Sequence, residues 1–316
     1  MNPTAAIALT LVFAVCLHAP AQAPDVPLSK QGRWESQQED AITSASRELF
    51  DAGRAVKLAV VKEQLKRPFC ELDLPRASAT KLSAREICVL ARSSHLRVGW
   101  AYLCDRCDQW HVNLAGGYLL TTNGAVATCY HVVQPDRDMK DGCLVAADTT
   151  GKVFPVIEVL AANRYSDSCI LRIAGEGFKP LALNTNVYPG DMAYCYSDPL
   201  DHRGYFSQGI VNRFYQFPGR RPISAPPSAA FAPTRINVGT DWAPGSSGSA
   251  VLDDYGNAIG HVSTIGVMSE EEASEPSESQ PHPNPVLSAM IVFHEAVAAK
   301  DVLLLIKKKG QTAAVP

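Results

Sequence analysis

Apolar positions along the chain change their period near residue 95, and that change divides the sequence into a helical part and a strand-rich part. Within the segment 40–64, Ile42, Leu49, Ala52, Val56 and Ala59, followed by Leu65, recur at three-, four- and seven-residue steps, the spacing of one helix face. Ser83-Ala-Arg-Glu86 then reads as a capping box, in which serine and glutamate each satisfy an orphan amide of a first helical turn. A second helix is predicted from there through Ala91, with Pro68 and Pro75 breaking the stretch between the two. From Leu96 the apolar residues fall into short runs, among them 98–103, 117–121, 125–129, 154–160, 170–173 and 192–196. Further runs follow at 209–213, 236–239, 250–252 and 259–263. Strands this short, punctuated by Gly, Asn and Asp turns, predict a β-sandwich or barrel. The Pro- and Ala-rich stretch 218–233 and the acidic, Ser- and Pro-rich stretch 269–285 read as surface loops. A last strand is predicted at 289–293 and a terminal helix at 296–308.

The N-terminus has a different texture. Residues 5–17 form an apolar run too short to span a bilayer, followed by small residues at Ala19, Ala21 and Ala23. That is the layout of a signal-peptide core with an A-x-A cleavage site. Cleavage after Ala21 avoids placing Pro24 directly after the cut, although no Lys or Arg precedes the apolar core. The rival reading is a buried N-terminal helix. The expected organisation is a signal peptide at 1–21, a linker at 22–37, a helical extension at 38–95 and a β-rich domain at 96–310. The mature chain is then exported, periplasmic or extracellular, with no stable membrane span after signal removal.

Composition sharpens this in two places. A hydrophobic fraction of 46% supplies a core, and a formal net charge of -3 with scattered Lys and Arg gives no nucleic-acid footprint. Of nine cysteines, Cys16 leaves with the signal. The even remainder in an exported chain predicts disulfides, with Cys104 and Cys107 the easiest local pair and Cys70 and Cys88 able to tether the helical extension. A zinc site would use Cys104, Cys107 and His111 plus one more ligand. No second pair stands at metal-site spacing, so neither a metal nor a cofactor is expected. Nothing in the sequence indicates an oligomer.

Acyl transfer by serine requires a nucleophile, a base, a carboxylate that orients the base, and amide donors for the oxyanion. In Pro244-Gly-Ser-Ser-Gly-Ser-Ala250, glycines flank a central serine and let the backbone bring the amides of Gly245 and Ser247 toward one point. Alone, such a string reads as a flexible loop, but here it stands between a strand ending at Asp241 and a fresh apolar run at 250–252. His131 follows a strand, an Asn-Gly turn and a second strand, and Asp167 stands immediately before the apolar strand 168–173. Asp148 is the alternative acid.

Taken together, these segments resemble the trypsin-like fold, especially its bacterial HtrA/DegP-like branch. Residues from Gly117 through Val133 resemble G-x-L-(x)n-G-x-V-x-T-x-x-H-V-V, and Asp167-Ser-Cys-Ile-Leu-Arg-Ile173 resembles D-x-A-(I/L)-L-K-(I/V). The stretches 187–199, Ser207-Gln-Gly-Ile-Val211 and 244–250 follow in the same order, and Gly256-Asn-Ala-Ile-Gly-His-Val-Ser263 is similar to the strand lining the primary specificity pocket. The resemblance implies a mainly β fold of two antiparallel six-stranded chymotrypsin-like barrels with a C-terminal helix behind the N-terminal helical extension. It implies a serine endopeptidase acting on protein or peptide substrates. His131 is then the base, Asp167 its orienter and Ser247 the nucleophile, with Gly245 and Ser247 as the oxyanion hole. Asp241 and Ser263 fall at positions of the substrate pocket, and an acid at 241 would favour Arg or Lys before the scissile bond. Ser246 replaces the aspartate that zymogen-activated trypsins carry, so activation by an amino-terminal cut is not expected. The length after Ser247 leaves no room for a PDZ domain. An α/β-hydrolase is excluded by the order of its triad, and the remaining alternative is an inactive protease-like binding module using the helical extension for partner contacts.

Overall fold

A computed structural model describes residues 33–135, 138–216, 232–269 and 289–307. The signal peptide, residues 22–32 of the linker and most of both predicted surface loops lie outside the described residues.

The first helical period folds as two helices. Helix α1 (Arg33–Asp51) begins inside the segment read as linker, and α2 (Leu58–Gln64) follows after a break. Gly53 causes the break: its φ of +64° is left-handed, and Arg54 N returns to Leu49 O at 3.0 Å, closing the end of α1. The connector then joins the sheet, with Val56 N donating to Val156 O at 2.7 Å. Helix α3 (Ala84–Ser94) starts at Ser83 with both halves of the capping box formed.

Twelve strands build two closed antiparallel six-stranded barrels, the chymotrypsin-like fold. A two-residue strand β1 (Cys70–Glu71) precedes them. The first barrel contains β2 (His95–Cys104), β3 (Trp110–Leu119), β4 (Ala125–Thr128), β5 (Met139–Asp148), β6 (Val153–Asn163) and β7 (Ser168–Ile173), in the order β2-β3-β4-β7-β6-β5. The second contains β8 (Met192–Ser197), β9 (Tyr205–Gln216), β10 (Thr234–Val238), β11 (Ala250–Leu252), β12 (Ala258–Ser269) and β13 (Ala289–Ala298), in the order β10-β13-β12-β11-β8-β9. A one-turn helix α4 (Tyr130–Val133) follows β4.

The predicted terminal helix shrinks to α5 (Ala299–Leu303). Strand β13 runs on through Ala298, with Ala296 and Ala298 buried in the second barrel. Beyond the helix, β14 (Ile306–Lys307) leaves to pair in parallel with β1. Neighbour pairing at both ends therefore overrides helix propensity.

The helices belong to the same hydrophobic core as the barrels. Val56, Leu58 and Val61 pack in one cluster with Trp100, Leu144 and Leu171 inside the first barrel. Ile87 and Ala91 of α3 pack with Tyr118, Tyr194 and Leu252, which come from both barrels. No gap in packing separates residues 38–95 from the β-rich part.

The expected disulfides are not formed: all eight described cysteines are free. Cys129, Cys143, Cys169 and Cys195 are buried, and a buried thiol behaves as a small apolar side chain. Burial pushes each of these thiols up, that of Cys195 to about 12. The even count reflects core packing in these four.

Truncating α3 should cost as much as truncating a barrel. Ile87 is fully buried, so Ile87→Ala is expected to lower unfolding free energy by about 3 kcal/mol in urea titration. A loss below about 1 kcal/mol would mean that α3 is a detachable cap.

Candidate active site

The site is assembled where the two barrels meet. On the first barrel, β4 ends at Thr128 and the chain turns into α4, which carries His131 at a half-exposed position. Trp100 Nε1 donates to Val133 O at 3.2 Å and fixes the far end of that turn. Asp167 occupies the turn between β6 and β7 with φ +57°, a left-handed conformation unusual for a non-glycine residue.

Three donors converge on the Asp167 carboxylate. His131 Nδ1 donates at 2.9 Å to Oδ2, His131 N donates at 3.1 Å to Oδ1, and the Ser263 hydroxyl donates at 2.7 Å to Oδ2. Burial alone would raise this carboxyl, but the histidine and the Ser263 hydroxyl outweigh it and hold the carboxyl at about 2. The acid is thus an anion across the physiological range, and it fixes the proton of His131 on Nδ1, leaving Nε2 directed away from it. Asp148, the alternative acid, instead closes its own turn through Thr150 and Lys152.

On the second barrel, the 244–250 loop presents Ser247. Gly245 and Gly248 take φ of +99° and +84°, conformations that glycine adopts without strain. The three serines of the loop are sorted by burial. Ser246 is buried and donates to Ser197 Oγ at 3.0 Å, Ser249 is buried, and Ser247 is the half-exposed one. The amides of Ser246 and Ser249 are spent on loop carbonyls, whereas those of Gly245 and Ser247 enter no backbone hydrogen bond among the described residues.

His131, Gly245 and Ser247 line one cleft of about 510 Å³, together with Trp100, Leu114 and Met139. Ser247 Oγ and His131 make no hydrogen bond among the described residues, and substrate-free sites commonly hold this pair apart. The arrangement can deliver a serine oxygen, an oriented imidazole and two amides to one reacting carbonyl.

Two expected pocket residues fall elsewhere. Asp241 is exposed: its carboxylate accepts from Tyr205 OH at 3.5 Å, and its backbone is bracketed by the Ser207 hydroxyl. Strand β10 ends at Val238, not at Asp241 as expected, so Asp241 lies in the loop beyond it and is not among the cleft-lining residues. Ser263 is absent from that lining as well, and its hydroxyl donates to Asp167.

Two further contributors carry no recognisable pattern in the sequence. Gly116 in β3 donates its amide to Ser247 O at 2.7 Å, and a Cβ there would meet Ser249 N at 2.6 Å. Asp198 is buried beneath the loop. Burial would raise its carboxyl, but the charge and hydrogen bond of His95, the Gly204 amide and Arg97 keep it low. Its backbone carbonyl abuts Gly245, and Leu200 N donates to Pro244 O at 2.7 Å. Arg97 in turn donates to Glu39 of α1 at 2.9 Å, so the first helix is tied to the support of the serine loop.

Residues 115–260 match the family model described as trypsin-like peptidase domain. The matched residues lie within the two chymotrypsin-like barrels and include His131, Asp167 and Ser247. Among solved structures it is similar to the serine endoprotease from Yersinia pestis, at 15% identity and a TM-score of 0.47. The match covers 71% of this chain and 65% of that one, so the chain spans less than two thirds of that protein's length. No curated protein matches.

The site carries its own acid sensitivity. His261 is fully buried beside Tyr118 and donates from Nε2 to Asp167 O at 3.2 Å. Burial lowers its imidazole to about 4. The unfolded chain takes up a proton near pH 6.5 that the folded site refuses, so stability is full above 6.5 and is lost as pH falls toward 4. Urea titrations at pH 7 and pH 4.5 should show an excess loss of up to about 3 kcal/mol in the wild type that is absent in His261→Gln. Equal losses in the two proteins would overturn this assignment.

Proposed function

We propose that the chain is an exported serine endopeptidase that cleaves peptide bonds through an acyl-enzyme. The observation that carries this reading is the bond from His131 Nδ1 to the partly buried Asp167 carboxylate, with His131 and Ser247 lining one cleft. In the forward step, His131 Nε2 takes the Ser247 proton as Oγ attacks the scissile carbonyl. The developing oxyanion is received by the amides of Gly245 and Ser247, which the loop leaves unspent. The imidazolium then returns its proton to the leaving amine, and a water repeats the sequence to release the acid. Asp167, already an anion, stabilises the imidazolium and stays ionised throughout. Protein or peptide chains are the substrates. The exposed carboxylate of Asp241 is screened by water, which makes it a weak selector for Arg or Lys before the scissile bond.

Export rests on the apolar run and the A-x-A pattern of residues 1–23. Among the described residues, no helix is long and apolar enough to cross a membrane. Protein recovered from a secreting host should begin at Gln22 on amino-terminal sequencing, and a product that retains Met1 counts against export.

A fluorophosphonate probe tests the chemistry. The intact protein should be labelled on Ser247, with labelling abolished in Ser247→Ala and retained in Ser249→Ala. His131→Ala should lower kcat/KM by at least about 10⁴-fold. Absence of labelling in a folded wild-type protein would favour the inactive binding module.

A further inference from the structure

The hairpin between β2 and β3 lies outside the machinery described above, and its tip gathers three soft-metal donors. Cys104, Cys107 and His111 each offer one ligand atom, and these atoms all lie within 4.8 Å of one another. Cys107 Sγ and His111 Nε2 are 3.1 Å apart. We propose that this tip binds one divalent zinc-class cation through Cys104 Sγ, Cys107 Sγ and His111 Nε2, with solvent in the fourth position.

The backbone is shaped for such a site. Residues 104–108 wind through a tight turn in which Asp108 N donates to Cys104 O at 3.2 Å and Asp108 takes φ +55°. That turn points both sulfurs to one side. Arg106 N donates to Cys104 Sγ at 3.4 Å. Cys104 N is itself held by Gln109 O at 2.9 Å, so the first sulfur is fixed by both flanks of the hairpin. His111 arrives from β3 in register with Tyr102, whose ring lies 5.8 Å from the imidazole and steers it toward the sulfurs.

Ligand chemistry selects the cation. Two thiolates and an imidazole suit zinc, and hard cations such as calcium and magnesium prefer oxygen donors. Binding displaces one proton from each thiol, so the ion's two positive charges meet two thiolate charges and the centre is neutral. The nearby carboxylates are engaged elsewhere: Asp138 pairs with Arg106, while Asp105 and Asp108 pair with Lys140. They do not complete the coordination, which leaves the exposed side for water.

The position gives the ion a consequence. Strand β3 runs directly from His111 to Asn113, Leu114 and Ala115, which line the cleft, and on to Gly116 beneath Ser247. An ion at the tip clamps the start of the strand that forms one wall of the cleft. The inference stands on the hairpin alone and does not depend on the protease reading.

Cobalt(II) titration of the full reduced, metal-free chain tests it. One equivalent should bind with the thiolate charge-transfer band and the visible absorption of a tetrahedral site, and zinc should displace it. Cys107→Ser and His111→Gln, both at exposed positions, should keep the far-UV circular dichroism of the parent. Each should weaken cobalt binding by about a hundredfold or more. Cys88→Ser, which leaves the hairpin intact, should bind as the wild type does. The proposal fails if the parent takes up no stoichiometric cobalt, or if both hairpin variants bind as tightly as the parent. It fails equally if protein prepared with zinc supplied carries a Cys104–Cys107 disulfide on non-reducing peptide mapping.

Discussion

Gly116 N donates to Ser247 O at 2.7 Å, and this bond joins the barrels at the point where the site has to be built. The approach demands an absent side chain at Gly116 and at Gly248, the residue after Ser247. A Cβ on Gly116 would strike the Ser249 backbone, and one on Gly248 would strike Gly116 O and the Thr128 hydroxyl. Thr128 also donates to Gly116 O at 2.7 Å, so the end of β4 is locked to the same strand. From Thr128 the chain needs one further residue to enter α4, which carries His131. The separation of His131 and Ser247 is therefore set by backbone contact between two rigid barrels.

The helices strengthen that joint from outside. Ile87 and Ala91 fill the space between the barrels behind the site. Glu39 reaches Arg97, which with His95 surrounds the buried Asp198 under the serine loop. A buried carboxylate without such partners would be strongly destabilising, so the loop at 198–204 is held in place by charges from the first barrel and from α1 together. The positive φ of Leu200 and Asp201 is carried by that support. What reads in sequence as an appendage is in space part of the scaffold of the serine loop.

Legibility in the sequence followed the range of the interactions. Ser247, Gly245 and His131 announce themselves because turn glycines and strand ends leave local patterns, and the capping box at Ser83 is written in four consecutive residues. The division of the first helix depended on one glycine, Gly53, whose left-handed conformation no periodicity reveals. Gly116 is one of two adjacent glycines in a strand, and its meaning lies in a residue more than a hundred positions away. Ser263 looked like a pocket residue because position along a strand was the only guide, and its real partner, Asp167, comes from the other barrel. The cysteines misled for a compositional reason. An even count is the same whether thiols pair or fill small apolar sites.

Asp167 was the least local of the three central residues, and its geometry explains why. Its side chain must face α4 while its carbonyl accepts from His261 of β12, and φ +57° is what allows both. Left-handed backbone at a non-glycine residue costs of order 1–2 kcal/mol and persists only where the surroundings over-determine it. Here they do: Arg235 holds the preceding carbonyl at Ser166, His261 holds that of Asp167, and three donors hold the carboxylate. Three of these anchors, Arg235, His261 and Ser263, belong to the second barrel. The carboxylate bonded to the first barrel's His131 is thus itself positioned by the second barrel, so separating the barrels would disorder Asp167 and His131 together.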